Sequence, residues 1–113
     1  MSKYGNRKVT LDGFTFDSIA ESRRYQELKL LLAAGEIAGL EIHPRYEIIP
    51  AYTRCDGKRI RATYYEADFS YWDKAASYVV VEDVKGFQTE GFRLKRKLFE
   101  SGNALIDFRI VEA

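Results

Sequence analysis

Residues 78–86 read YVVVEDVKG. Tyr78-Val79-Val80-Val81 suits a strand buried in a sheet, because β-branched residues pack well on a pleated surface. Within the next four positions the chain turns polar, with Glu82, Asp83 and Lys85. Alternate strand residues share a face, so Asp83 and Lys85 project together while Glu82 and Val84 project to the other side. A strand that only filled a core would need no such charges at its end, so the segments around it must explain them.

Upstream, DKAAS (73–77) is a turn that joins this strand to RIRATYYEADFSYW (59–72), a run rich in β-branched and aromatic residues. CDGK (55–58) is a hairpin signal, and EIHPRYEIIPAYT (41–53) is extended but punctuated by Pro44 and Pro50, where pairing should be interrupted. The three segments form a meander. Before it, VTLDGFTF (9–16) predicts a short strand or hairpin around Asp12-Gly13, and Asp17 or Ser18 caps a helix running to about Ala34, with Gly35 as its stop. After it, a helix spans Thr89 to Glu100, SGN breaks it, and ALIDFRIVE (104–112) is a last strand that can pair in parallel with the meander. The expected order is α-β-β-β-α-β, an α+β fold (an α/β sandwich) whose mixed sheet is flanked by helices. Residues 1–8 are expected to be a mobile basic tail and 9–113 a single domain.

The bulk numbers agree with one folded unit. The chain has 113 residues, 46% of them hydrophobic, enough for one core and too few for two. No apolar run approaches a membrane span and the start MSKYGNRKVT has no hydrophobic signal segment, so a cytoplasmic protein is expected. With one Cys (Cys55) and one His (His43), a metal is expected to be held by oxygen, which favours magnesium, manganese or calcium. His43 is read as structural. Net charge is +1, yet the cations cluster: Lys3, Arg7 and Lys8; Arg54, Lys58, Arg59 and Arg61; Arg93, Lys95, Arg96 and Lys97. Such clusters are ordinary solvated surface or a grip on a phosphate backbone.

Candidate chemistry concentrates at element ends. On the first helix, Tyr25, Leu28 and Leu32 form an apolar stripe, and Glu21 falls in the middle of it. The helix dipole alone would favour a carboxylate there. A second explanation is a polar site at the end of the sheet into which Glu21 points. Asp68 and Asp83 end adjacent strands and would approach each other across the turn at 73–77. Two close carboxylates repel, and a divalent cation between them removes the conflict. Lys85 could then orient a water or stabilise developing negative charge.

This set, Glu21 on a helix, then EADF (66–69), VEDVKG (81–86) and a basic helix, resembles the PD-(D/E)XK nuclease superfamily, whose core has the order read above. FDSIAESRRYQELKLL (16–31), ADF, EDVKG and RLKRKLFE (93–100) resemble a family of small phage and prophage proteins placed in it, and the series is also similar to phage Holliday-junction resolvases of the endonuclease I type. The resemblance implies a restriction-endonuclease-like core and a metal-dependent DNA endonuclease of recombination, repair or junction resolution. It implies Asp68 and Asp83 as ligands of Mg²⁺ or Mn²⁺, the Val84 carbonyl beside them, Glu21 completing the shell, and Lys85 as catalytic lysine. Ala67 stands where the superfamily usually has proline.

On the second helix, Arg93 and Lys97 are i, i+4 neighbours and Arg96 adds to them; with Gln88, and with Arg59 and Arg61 on the meander, they are the expected DNA contacts. A non-catalytic nucleic-acid-binding protein that kept the fold is the alternative. A homodimer is expected, because a four-way junction needs two symmetric nicks.

Overall fold

The computed structural model describes residues 7–113. Of the expected N-terminal tail at 1–8, residues 1–6 lie outside the described part.

Two hairpins and two helices are built around one mixed sheet. Strands β1 (Val9–Leu11) and β2 (Phe14–Phe16) pair antiparallel across Asp12-Gly13. Both turn residues have positive φ, 52° and 82°, the backbone that a two-residue hairpin of this twist requires. Helix α1 (Ile19–Ala33) starts at Ser18, whose hydroxyl accepts from the Glu21 N–H at 3.1 Å, and ends before Gly35 at φ 77°. The central sheet has the order β10-β9-β8-β3, from β3 (Ile37–Ile42), β8 (Phe69–Asp73), β9 (Tyr78–Lys85) and β10 (Ile106–Glu112). β3 and β8, and β8 and β9, are antiparallel; β10 is parallel to β9 after the crossover helix α2 (Glu90–Gly102).

The sheet separates two apolar layers. Val80 and Val84 of β9 join Phe69 and Tyr71 of β8 and pack with Phe16, Tyr25 and Leu28 beneath α1. Val81 turns the other way and joins Tyr65, Phe108, Phe92 and Phe99 beneath α2. The fold is therefore α+β with a mixed sheet between two helices, each strand residue choosing its layer by alternation.

The meander departs from its expected form. The run 59–72 is not one strand but three: β6 (Arg59–Ile60), β7 (Thr63–Glu66) and β8. Its partner is likewise divided into β3, β4 (Arg45–Ile49) and β5 (Tyr52–Thr53). β4 pairs β7 and β5 pairs β6, so the hairpin continues beyond the sheet as a separate ribbon. The break falls at His43-Pro44 opposite Ala67-Asp68. Pro44 has no N–H to give a ladder, and His43 adopts a left-handed φ of 54°. Two bonds hold the bend: His43 N–H to the Asp68 carbonyl at 2.9 Å and Ala67 N–H to the Pro44 carbonyl at 3.0 Å. Beyond it the ribbon leans onto α2, with Tyr46 and Tyr65 against Phe99.

Two smaller expectations are corrected. Leu32 is 41% exposed, and Leu31 packs against the core in the last turn of the helix instead. Helix α2 runs through Ser101 and Gly102 to the cap at Asn103, whose amide donates to the Phe99 carbonyl at 2.9 Å. Among the described residues no helix is long and apolar enough to cross a membrane.

Candidate active site

The bend in the ribbon opens a notch at the end of the central sheet, and Asp68 sits in it. Its N–H continues the ladder to the Glu82 carbonyl at 3.1 Å, while its carboxylate accepts from the Val84 N–H at 2.7 Å. Asp68 thus faces the last residues of β9. A strand residue points its N–H and C=O the same way, so the Val84 carbonyl is also directed to this side. Asp83 is 3% exposed and lies on the α2 face, where its carboxylate accepts a short hydrogen bond from the Tyr65 hydroxyl. Lys85 shares that face, with its ammonium 3.6 Å from the Asp83 carboxylate and 4.7 Å from the centre of the Phe92 ring.

Glu21 enters from the α1 side. It is 8% exposed, and its carboxylate accepts from the Asp17 N–H at 3.2 Å. With the Ser18 cap this forms a reciprocal capping arrangement, so Glu21 does serve its own helix. It also lies close to the sheet end: a Glu21 oxygen, an Asp68 oxygen and a ring nitrogen of His43 all fall within 4.8 Å of one another. Four of the residues singled out from the sequence, Glu21, Asp68, Asp83 and Lys85, therefore meet at one end of the sheet from three separate parts of the chain.

Their electrostatics show the conflict such a gathering creates. The Asp68 carboxyl is pushed up to about 8, first by burial and then by the adjacent Asp83, with Glu21 adding to it; the Val84 N–H opposes the shift. Burial also raises Glu21, opposed by the Asp17 N–H and by His43 and reinforced by the Asp17 and Asp83 charges. Burial, then Asp83, raises the Tyr65 hydroxyl. At neutral pH the site therefore holds at least one proton that a cation would displace.

Two hollows meet at Lys85. One, on the α1 side, is lined by Glu21, Val84, Lys85 and Gly86; the other, on the α2 side, by Asp83, Lys85, Tyr65 and Lys95. A third hollow along α2 collects Gln88, Arg93, Arg96 and Lys97, the helix residues expected to contact DNA. Arg96 is already engaged there, bonded to Glu100 at 2.9 Å and stacked 4.6 Å over Phe108. Arg59 and Arg61 stand apart, at and beside β6 near the far end of the ribbon, where Arg59 donates to Thr53 at 3.1 Å.

Glu82 faces away from Asp83, as alternation requires, but it is not a solvated charge. It is fully buried on the α1 side, gripped by Arg24 through two bonds of 2.8 and 2.6 Å and by the Tyr71 hydroxyl. Arg24 stays firmly charged, chiefly because Glu82 holds its proton. Reading the sequence missed this pair and also missed Tyr65. The available signal was Arg24 three residues after Glu21, on the turn of α1 that covers Glu82.

Over residues 1–111 the chain matches the family described as "Protein of unknown function (DUF1064)", and it belongs to that family. No curated protein and no solved structure matches it.

Proposed function

We propose that this DUF1064 protein is a metal-dependent deoxyribonuclease built on a PD-(D/E)XK, restriction-endonuclease-like core. The observation that carries the proposal is the approach of Glu21 and Asp68 to within 4.8 Å at one sheet end, with Asp83 acting on Asp68 from the next strand and Lys85 3.6 Å from Asp83. Carboxylates on a solvated surface do not meet the cost of such crowding, and a cation between these would relieve it.

The donor set fits a hard divalent ion such as Mg²⁺ or Mn²⁺: the carboxylates of Asp68, Asp83 and Glu21, with the Val84 carbonyl directed to the same side. When bound, the ion supplies an activated water and a polarised phosphate oxygen. Each protein group then has a task. The Tyr65 hydroxyl fixes the Asp83 carboxylate, leaving its second oxygen toward Lys85. Lys85 is placed to steady the attacking water or the charge growing on the phosphoryl oxygens. Phe92 holds the lysine from behind by a cation–π contact, which keeps the ammonium near Asp83 rather than in solvent.

The substrate is a phosphodiester of DNA. Arg93, Lys97 and Gln88 line a hollow along α2 and offer phosphate contacts, while Arg59 and Arg61 on the ribbon offer a second, separate region. The resemblance to phage junction resolvases puts branched DNA first among substrates, the host cytoplasm as the place of action, and a homodimer as the acting form. The test is incubation with linear, flap and four-way-junction DNA, with Mg²⁺, Mn²⁺ or EDTA. Cleavage that needs the metal and is lost in Lys85→Ala supports the proposal. Binding without cleavage under every condition would leave a nucleic-acid-binding protein that kept the fold.

A further inference from the structure

The bend that carries Asp68 also carries His43, the only histidine of the chain. Its backbone is held in the left-handed region at φ 54°. Histidine, like asparagine, is among the residues that tolerate this backbone, so the bend alone does not single out an imidazole. What the imidazole adds is its position. Its ring packs against Phe16, with centroids 5.7 Å apart, and a ring nitrogen lies within 4.8 Å of oxygens of both Glu21 and Asp68. Ligands that share one ion stand about 3–4 Å apart, so small side-chain rotations bring all three donors onto a common centre. Neither carboxylate forms a salt bridge among the described residues; the nearby Lys85 pairs with Asp83 instead. Glu21 is buried and, among the described residues, accepts only the Asp17 N–H.

We infer that His43 is a nitrogen ligand of the cation held by Glu21 and Asp68, and that it biases the site toward Mn²⁺ over Mg²⁺. This rests on the metal-site reading given above and replaces the expectation of an all-oxygen shell. Imidazole suits Zn²⁺ and Fe²⁺ best; Mn²⁺ prefers oxygen but, as a transition ion, accepts one nitrogen ligand more readily than Mg²⁺, which takes oxygen and keeps its waters. The bend then has a second use: the His43 N–H bond to the Asp68 carbonyl fixes the two ligand-bearing segments to each other before any ion arrives.

A single histidine makes the test direct, because the imidazole gives one set of ring resonances. The full chain is titrated with Zn²⁺ in the absence of DNA and followed by NMR; the His43 ring signals should move and saturate near one equivalent. In parallel, Mn²⁺ affinity is read by electron paramagnetic resonance and Mg²⁺ affinity by calorimetry. His43→Ala should weaken Mn²⁺ by about tenfold or more and change Mg²⁺ little. His43→Asn, which tolerates the left-handed backbone, guards against a mere loss of the bend and should give the same selective loss. Ring signals that ignore Zn²⁺, or Mn²⁺ affinity unchanged within twofold in a folded His43→Asn, would overturn the inference. Metal binding through His43 with no DNA cleavage would uphold it and sink the nuclease proposal instead. Cleavage supported by a site indifferent to His43 would do the reverse.

Discussion

Replacing Asp68 by asparagine should stabilise the metal-free protein, and the gain should depend on pH. The substitution keeps the size and the oxygen that accepts from the Val84 N–H at 2.7 Å, and removes only the charge. In the folded chain the Asp68 carboxyl is raised from 3.8 to about 8, by burial and by Asp83. A raised carboxyl means that the folded state binds more protons than the unfolded one between about pH 4 and pH 8, so stability falls as pH rises through that window. At 1.36 kcal/mol per pH unit, the full cost by pH 7 would be about 4 kcal/mol. Local relaxation and water entry absorb part of it, and we expect about 2 kcal/mol, or about 8 °C in Tm for a domain of this size. Thermal unfolding in EDTA, from pH 4 to pH 8, reads it out. Wild type and Asp68→Asn should coincide at pH 4 and separate steadily above, with the variant higher. Saturating Mn²⁺ should reverse the order, since only wild type gains from the ion. A gap that is constant with pH, or a variant that is less stable at pH 8, would refute the reasoning.

Other outcomes follow from the same geometry. Glu82→Ala should cost about 3 kcal/mol in urea unfolding, because it empties a fully buried position and leaves the Tyr71 hydroxyl and the half-buried Arg24 guanidinium without their shared partner; a loss below about 1 kcal/mol would contradict that role. Asp83→Asn should abolish cleavage yet stay folded, whereas Asp83→Ala should also lose stability by leaving the buried Tyr65 hydroxyl without its acceptor; equal Tm values for the two would contradict that role for Tyr65. Arg93→Ala with Lys97→Ala should lower DNA affinity and reduce the slope of log affinity against log salt by about 2, measured by fluorescence anisotropy in Ca²⁺; an unchanged slope would remove the α2 hollow from the DNA path.

Much of this was legible in the sequence because the signals were local. Ser18 and Thr89 announce the helix starts, Asp12-Gly13 the first hairpin, and the valines of β9 the central strand. Strict alternation along β9 placed Asp83 and Lys85 on one face and Glu82 on the other without any tertiary information. What alternation could not supply was the bend. Pro44 marked an interruption, but only pairing across the hairpin shows that Ala67-Asp68 breaks opposite it and that the distal ribbon then tilts onto α2. The surroundings of His43 were hidden for the same reason: its neighbours in sequence are strand residues, and its proximity to Glu21 and Asp68 exists only after the fold forms. Arg24 was missed because a charge on a helix normally faces solvent, and only the burial of Glu82 calls it inward.

The most direct measurement is cleavage of a labelled four-way junction and its matched linear duplex by wild type, Asp83→Asn and Lys85→Ala, each shown to be folded, with Mn²⁺, Mg²⁺ or EDTA. The account predicts cut phosphodiester bonds for wild type with Mn²⁺ or Mg²⁺, none in EDTA, and none for either variant under any condition. Intact DNA from wild type in both metals, or cleavage that persists in Lys85→Ala, would contradict it.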